Sequence, residues 1–224
     1  MLIIKEYCMA SRIKNQILFI ALVSIFIRAL IPTTPVLAKE SENNIIPNMA
    51  SFIESVKNGD ASALRGIYVQ GVMAHAIEQQ PYGHAGFVSS EANTITQFSI
   101  ASEVGNIGLL AHNYLAGINF SALTAGDVIT LVYGDGRTEN FYVEQILQYQ
   151  ATSPLSPYSN FIDLNTQEFL TAEGLFNKVY RGDYHLTLQT CIEKDGDLSW
   201  GRLFIIAKPI SEKYIHAMPQ IKIW

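Results

Sequence analysis

The sequence predicts a mainly β domain, a single barrel or sandwich that carries only short helices. Three observations predict it. From about residue 94 to residue 210 the apolar residues fall in short runs of strand composition. Turn residues such as Gly134-Asp135-Gly136 and Asp195-Gly196 separate these runs. Stretches with helical apolar spacing are few and short.

The chain has 224 residues, enough for one domain with a real core. It is 49% hydrophobic and 16% charged, against about 25% charged in ordinary soluble domains, and its mean hydropathy is +0.16. Disorder is excluded for most of the chain, since disordered segments are poor in apolar residues and rich in charge. A net charge of −5 and a pI near 5.5 argue against an electrostatic nucleic-acid binder. Two cysteines exclude a disulfide scaffold and a zinc site built on several thiolates.

Residues 1–38 read as an export segment. Lys5, Arg12 and Lys14 form a basic start, and Ile17–Ile27 is an uncharged apolar run of 11 residues, within the roughly 7–15 of a signal-peptide core. Arg28 interrupts it short of the ~18 apolar residues of a spanning helix. Pro32 and Pro35 follow, and Val36-Leu37-Ala38 fits a cleavage site. The competing reading is a retained membrane anchor over residues 17–31, with Arg28 snorkelling to the interface. Cleavage after Ala38 removes Lys5, Arg12, Lys14, Arg28 and Glu6, so the net charge falls from −5 to −8. It also removes Cys8 and leaves Cys191 as the one cysteine. An exported chain with a single thiol raises the question of its use.

Residues 39–60 read as a polar tether and a short helix. The helix runs from Asn48 to Lys57, with Phe52, Ile53 and Val56 on one side and Gly59 as its stop. Strands are expected at Thr94–Ile100, Gly108–Tyr114, Val128–Tyr133 and Phe141–Leu147, the last two as a hairpin. Pro154 to Asp183 is a long connection in which Thr171 caps a helix that buries Leu175, Phe176, Val179 and Tyr180. The last two strands are His185–Cys191 and Arg202–Ile210. The main domain spans residues 61–212, followed by a tail over 213–224.

Alternation puts Leu186 and Leu188 on one face of their strand, and Thr187, Gln189 and Cys191 on the other. With the leucines in the core, the thiol points into a groove; the alternative is a small buried hydrophobe, a common fate of free cysteine. His112 sits where an apolar strand meets a polar loop, a position as suited to structure as to catalysis. His75, His84, His185 and His216 compete with it. His185 lies six residues before Cys191 on the same strand, roughly 20 Å away at about 3.3 Å per residue, so it cannot touch the sulfur. Arg202 starts the next strand, and a hairpin would bring its guanidinium, an oxyanion binder with rigidly spaced donors, near the thiol. Asp163, Glu168 and Glu173 are candidate calcium ligands, with a solvated acidic loop as the favoured reading.

Three segments in order resemble the signatures of sortases. These are Ala111-His112-Asn113, Thr187-Leu188-Gln189-Thr190-Cys191 (TLxTC) and Arg202-Leu203-Phe204-Ile205-Ile206-Ala207. Leu123-Thr124-Ala125-Gly126-Asp127-Val128-Ile129 and Tyr133-Gly134-Asp135-Gly136 resemble the family's connecting text. The resemblance spans Arg65 to Ile210 and implies a closed eight-stranded β-barrel and an exported cysteine transpeptidase without a cofactor or metal. It implies that Cys191 attacks a peptide sorting signal of a surface protein, His112 protonates the departing amine and Arg202 holds substrate or oxyanion. Thr190 and Asn113 are implied as substrate-binding. The thioacyl enzyme is then resolved by an amine acceptor, a cell-wall precursor or pilin lysine. The expected location is extracellular or at the cell surface.

The stretches Tyr68–Ser90 and Pro154–Asp183 depart from the family's familiar text. Two other readings keep the barrel: a cysteine peptidase ending in hydrolysis, and a non-catalytic surface-binding module. L,D-transpeptidases carry a histidine two residues before the cysteine, where this chain has Gln189, which counts against them.

Overall fold

The computed structural model of the chain describes residues 46–210. The expected signal peptide or anchor, the start of the tether and the C-terminal tail with His216 lie outside the described residues.

The helix at the start is α1, Met49–Val56, capped by Asn48, whose Oδ1 accepts from Ser51 N at 2.9 Å. Its apolar side lays Phe52 against Tyr68 and Val132. Ten strands follow: β1 Leu64–Val69, β2 Met73–Gln79, β3 Thr94–Gln97, β4 Ile107–Leu110, β5 Val128–Tyr133, β6 Thr138–Ala151, β7 Phe161–Asp163, β8 Phe169–Leu170, β9 Leu186–Lys194 and β10 Asp197–Pro209. Between β3 and β4 lies α2, Ser99–Glu103; between β4 and β5 a 3-10 helix, Ala116–Ala122; and between β8 and β9 lies α3, Ala172–Tyr180.

Eight of the strands close on themselves in the order β10-β9-β4-β3-β2-β1-β5-β6, with β6 pairing back onto β10. The expected eight-stranded barrel is present. Closure removes exposed edges, and β7 and β8 extend the sheet from the far end of β6. The pairs β2–β3 and β4–β9 are parallel; the other barrel pairs are antiparallel.

Sequence and structure differ at several boundaries. The strand expected over Thr94–Ile100 stops at Gln97, because Ser99 turns into α2 with its N–H and hydroxyl both bonded to Gln80 Oε1 at 2.9 Å. The strand expected to reach Tyr114 stops at Leu110, where the chain turns into the 3-10 helix. The hairpin β5–β6 forms as expected, but β6 continues to Ala151 because β5, β10 and β7 each pair with part of it. The strands β9 and β10 run on to a turn in which Asp195 and Gly196 take φ of +54° and +85°, the backbone of a tight two-residue hairpin. The stretch before Ser90, unassigned from sequence, supplies the hairpin β1–β2.

The barrel interior is filled by alternate residues of every strand, among them Ile67, Met73, Ile95, Leu109, Ile129, Phe141, Leu188 and Ile205. Outside the wall, α3 covers a second apolar layer of Tyr149, Leu175, Val179, Tyr180, Phe204 and Ile206. His75 lies buried on the strand β2 at the inward parity of Met73 and Ile77. Its Nε2 is 2.9 Å from Asn119 Oδ1 and its Nδ1 has no partner. Burial holds its pKa below the ordinary 6.5, against the smaller opposing effect of the Asn119 bond. A group depressed in this way stabilises the fold above its unfolded pKa and withdraws that contribution as pH falls through the folded value. Denaturant midpoints are therefore expected to drop between pH 7.5 and 5.5. His75→Gln, which keeps a donor for Asn119 and does not titrate, should flatten that slope; an unchanged slope would remove His75 as its source.

Candidate active site

The strand β9 is an interior strand of the barrel, parallel to β4 on one side and antiparallel to β10 on the other. Leu186, Leu188 and Thr190 face the interior, and the alternate residues Thr187, Gln189 and Cys191 face out. Cys191 is partly exposed, with a free thiol, and its direct cross-strand partner is Arg202. Its competing reading as a fully buried apolar residue is thereby set aside. On the other side, Ile107 pairs with Leu186 and Leu110 with Gln189, where the ladder ends, and His112 follows two residues past the end of β4. Neighbouring strands are about 4.8 Å apart, so Cys191 and Arg202 stand side by side in one row across β9–β10, and His112 lies on the β4 side of it, just past that strand's end.

The His112 end of that row is held by backbone. Ala111 N donates to Gln189 O at 3.2 Å, and Thr190 Oγ1 donates to Ala111 O at 2.9 Å. The carbonyl of His112 accepts from Leu115 N and Gly117 N, both at 3.0 Å, which starts the 3-10 helix. The His112 ring stacks on Tyr114 with centroids 5.2 Å apart. Gly117 is the tight point: an added Cβ would lie 2.5 Å from Thr190 Oγ1 and 2.7 Å from His112 O. Asn113 Nδ2 donates to Leu198 O at 3.0 Å, tying the histidine turn to the β9–β10 hairpin.

Arg202 is pinned at the other end. Its Nη1 donates to Ser199 O and Gly201 O, both at 2.8 Å, and Nη2 donates to Pro154 O at 3.2 Å. The last bond draws the β6–β7 loop over the row. Arg202 also borders an apolar cavity of about 240 Å³, walled by Phe98, Phe161, Leu175, Phe176 and Phe204.

Three sets of bonds fix the helix wall of this cavity. Thr171 Oγ1 caps α3 by accepting from Gly174 N at 3.0 Å, as its sequence position predicts. The carbonyl of Val179 accepts from Thr187 Oγ1 at 2.6 Å and lies 3.0 Å from His185 Nε2. Tyr180 OH donates to Gln189 Oε1 at 2.6 Å, and burial pushes this phenol's pKa up, so it stays a donor. Lys178 on the outer side of the helix reaches Glu168 Oε2 at 3.4 Å and Asp163 Oδ2 at 4.0 Å. Burial of Asp163 opposes its ionisation, but the N–H groups of Thr166 and Asn165 and the Lys178 charge outweigh it and hold the carboxyl below its usual range. A lysine ammonium thus neutralises two of the three carboxylates considered for calcium, and no metal-holding cluster occurs among the described residues.

Among the other histidines, His75 is on β2, His84 is on an exposed loop and His185 bonds Val179 and Asp183 carbonyls. Thr190 turns inward with its hydroxyl engaged by Ala111, although it lines a cavity at the barrel mouth together with Asn113. Sequence reasoning missed Gly117 and Lys178. A lysine ten residues after Glu168 and on a capped helix is the only trace of the second.

Solved structures similar to this chain include sortase C1 of Streptococcus agalactiae, at 16% identity over 70% of this chain and 73% of that one, TM-score 0.41. Another is the sortase D5 transpeptidase of Clostridium perfringens, at 18% identity over 72% and 86%, TM-score 0.43. A third is sortase C-1 of Actinomyces oris, at 13% identity over 74% and 82%, TM-score 0.45. The chain is similar to sortases in fold. No family model and no curated protein matches the sequence.

Gly117→Ala is expected to cost about 1–3 kcal/mol through overpacking, and to slow alkylation of Cys191 by iodoacetamide if the His112 turn shifts; denaturation and labelling rates measure both. Asp163→Asn should cost about 1.5–3 kcal/mol at pH 7, the range for bonds to a charged group. The difference from the parent should vanish as pH falls below the ordinary carboxyl value of 3.8 and the parent carboxyl protonates. Urea titrations at the two pH values check it.

Proposed function

We propose that the chain is an exported sortase-type cysteine transpeptidase, with residues 61–212 as its catalytic domain and residues 1–38 as its export signal or anchor. The observation that carries the reading is the direct pairing of Cys191 with Arg202 across β9–β10, with His112 just past the end of β4, the other neighbour of β9. No described helix is long and apolar enough to cross a membrane.

Cys191 Sγ, as thiolate, attacks the carbonyl carbon of a scissile peptide bond in a sorting signal. The C–N bond breaks, and the leaving amine takes a proton from the His112 imidazolium. The reported bonds of Arg202 leave its Nε–H and a second Nη2 hydrogen for the developing oxyanion. The cavity beside Arg202 suits an apolar side chain of the same peptide, and displacing Pro154 O from the guanidinium would open more of it. Thr190 and Asn113 act by holding the His112 turn and the β9–β10 hairpin at the cavity edge. An amine then attacks the thioester; exclusion of water around the acyl group favours this over hydrolysis. The reading needs no cofactor or metal.

A peptide library offered with a primary amine should give amide products with the full chain and none with Cys191→Ala. Hydrolysis products alone, unchanged by added amine, would instead identify a peptidase; identical products from both proteins would end the cysteine mechanism. Arg202→Lys, which has a point charge and no fork, should lower kcat by about 10²–10³, the loss typical of an oxyanion donor, with a smaller effect on KM.

A further inference from the structure

The cavity beside Arg202 has aromatic walls and one amide among them. Phe98, Phe161, Phe176 and Phe204 line it. The ring of Tyr180 lies between them, with centroids 5.2 Å from Phe98, 5.3 Å from Phe176 and 6.3 Å from Phe204. Gln189 enters this wall from β9. The cavity shares no lining residue with the one at the barrel mouth.

The phenol of Tyr180 fixes which way the amide points. Tyr180 is 3% exposed, and its hydroxyl donates to Gln189 Oε1 at 2.6 Å. With the amide turned over, the buried O–H hydrogen would have no acceptor, and an unpaired buried donor costs more than a hydrogen bond ordinarily contributes. Gln189 therefore shows its carbonyl oxygen to Tyr180 and its NH2 to the cavity. That Nε2 has no partner among the described residues, and unlike the orphaned hydroxyl of Tyr149 it is not shut away from the surface. No carboxylate lines the cavity. The Arg202 guanidinium can only donate, and Ser156 Oγ already accepts from Tyr158 N at 3.2 Å. The open polar groups here are donors, so an occupant must bring an acceptor.

Gln189 and Cys191 stand two residues apart on the outward face of β9, roughly 7 Å at about 3.3 Å per residue. One extended peptide can thus meet both the sulfur and the amide.

We propose that this cavity selects a tyrosine side chain of the donor peptide, whose ring joins the Phe98–Tyr180–Phe176 cluster and whose phenol oxygen accepts from Gln189 Nε2. The inference rests on the transpeptidase reading and adds the side chain by which the donor is chosen. Edge-to-face and offset ring pairs favour an aromatic guest over an aliphatic one. The amide then favours tyrosine over phenylalanine, which leaves Nε2 unpaired.

The test reads binding, ahead of any turnover. N-acetyl-tyrosine amide and N-acetyl-phenylalanine amide are titrated into the full chain, followed by the backbone amide resonances of β9. The tyrosine amide is expected to bind about fivefold more tightly. Tyr180→Phe alone leaves the amide in place and should keep tyrosine favoured. The double variant Tyr180→Phe, Gln189→Met replaces both partners by apolar groups of similar shape; it should keep its denaturation midpoint within a few degrees and bind the two amides within about twofold. Equal affinities in the parent, or a tyrosine preference that survives in the double variant, would overturn the assignment. Selective tyrosine binding without any Cys191-dependent product, when tyrosine-containing peptides are offered with an amine, would instead end the transpeptidase reading and leave the selectivity of the cavity standing.

Discussion

Two ladders meet on β9, and the site depends on their register. A strand paired on both sides has no freedom to slide, because a shift of one residue would turn Leu186 and Leu188 out of the barrel and bring Thr187 and Gln189 in. The apolar core therefore sets which side chains of β9 face outward, and with them where Cys191 stands relative to Arg202. The same packing sets the offset with β4 that carries the chain to His112. Cys191 and Arg202 on two strands, and His112 just past the end of a third, are thus placed by the leucines of the core.

Backbone bonds convert this coarse placement into a local geometry. At one end, Thr190 and Gly117 press the 3-10 helix against the carbonyls of Ala111 and His112. At the other, three carbonyls aim the guanidinium of Arg202, one of them from a loop 48 residues earlier. The buried hydroxyl of Thr187 and the ring of His185 hold the end of α3 against the barrel wall, while Lys178 ties its outer side to Asp163 and Glu168. The groove walls are consequently as well determined as the row they flank.

The two cavities differ in character for a reason that lies in the strands. The one beside Arg202 sits outside the barrel wall, where α3 brings aromatic and aliphatic side chains down onto Phe204. The one beside Cys191 sits at the open end of the barrel, where β9 and β10 run past the core into their hairpin and inward positions no longer have opposite neighbours to pack against. Thr190 and Ile192 thus continue the core pattern into a wall of a cavity.

The sequence by itself determined the β class, the capped helices α1 and α3, both glycine-aspartate turns and the outward parity of Cys191, because each follows from local chemistry or from a period of two. Its ordered motifs also named His112, Cys191 and Arg202. It did not reveal β1 and β2, in which Gly66 and His75 interrupt the apolar alternation, nor the early ends of β3 and β4, since those depend on Gln80, just past β2, and Thr190 on β9 reaching across. It favoured a solvated acidic loop over a calcium site for Asp163, Glu168 and Glu173, without indicating that Lys178 pairs with the first two. Closure of the barrel by β6 on β10, the pairing of β4 with β9 that brings the His112 turn to Thr190, and the separation of the two cavities were decided only by the tertiary structure. Each is a relation between segments tens of residues apart, set by how strands pair around a common core and carried by no single stretch of chain.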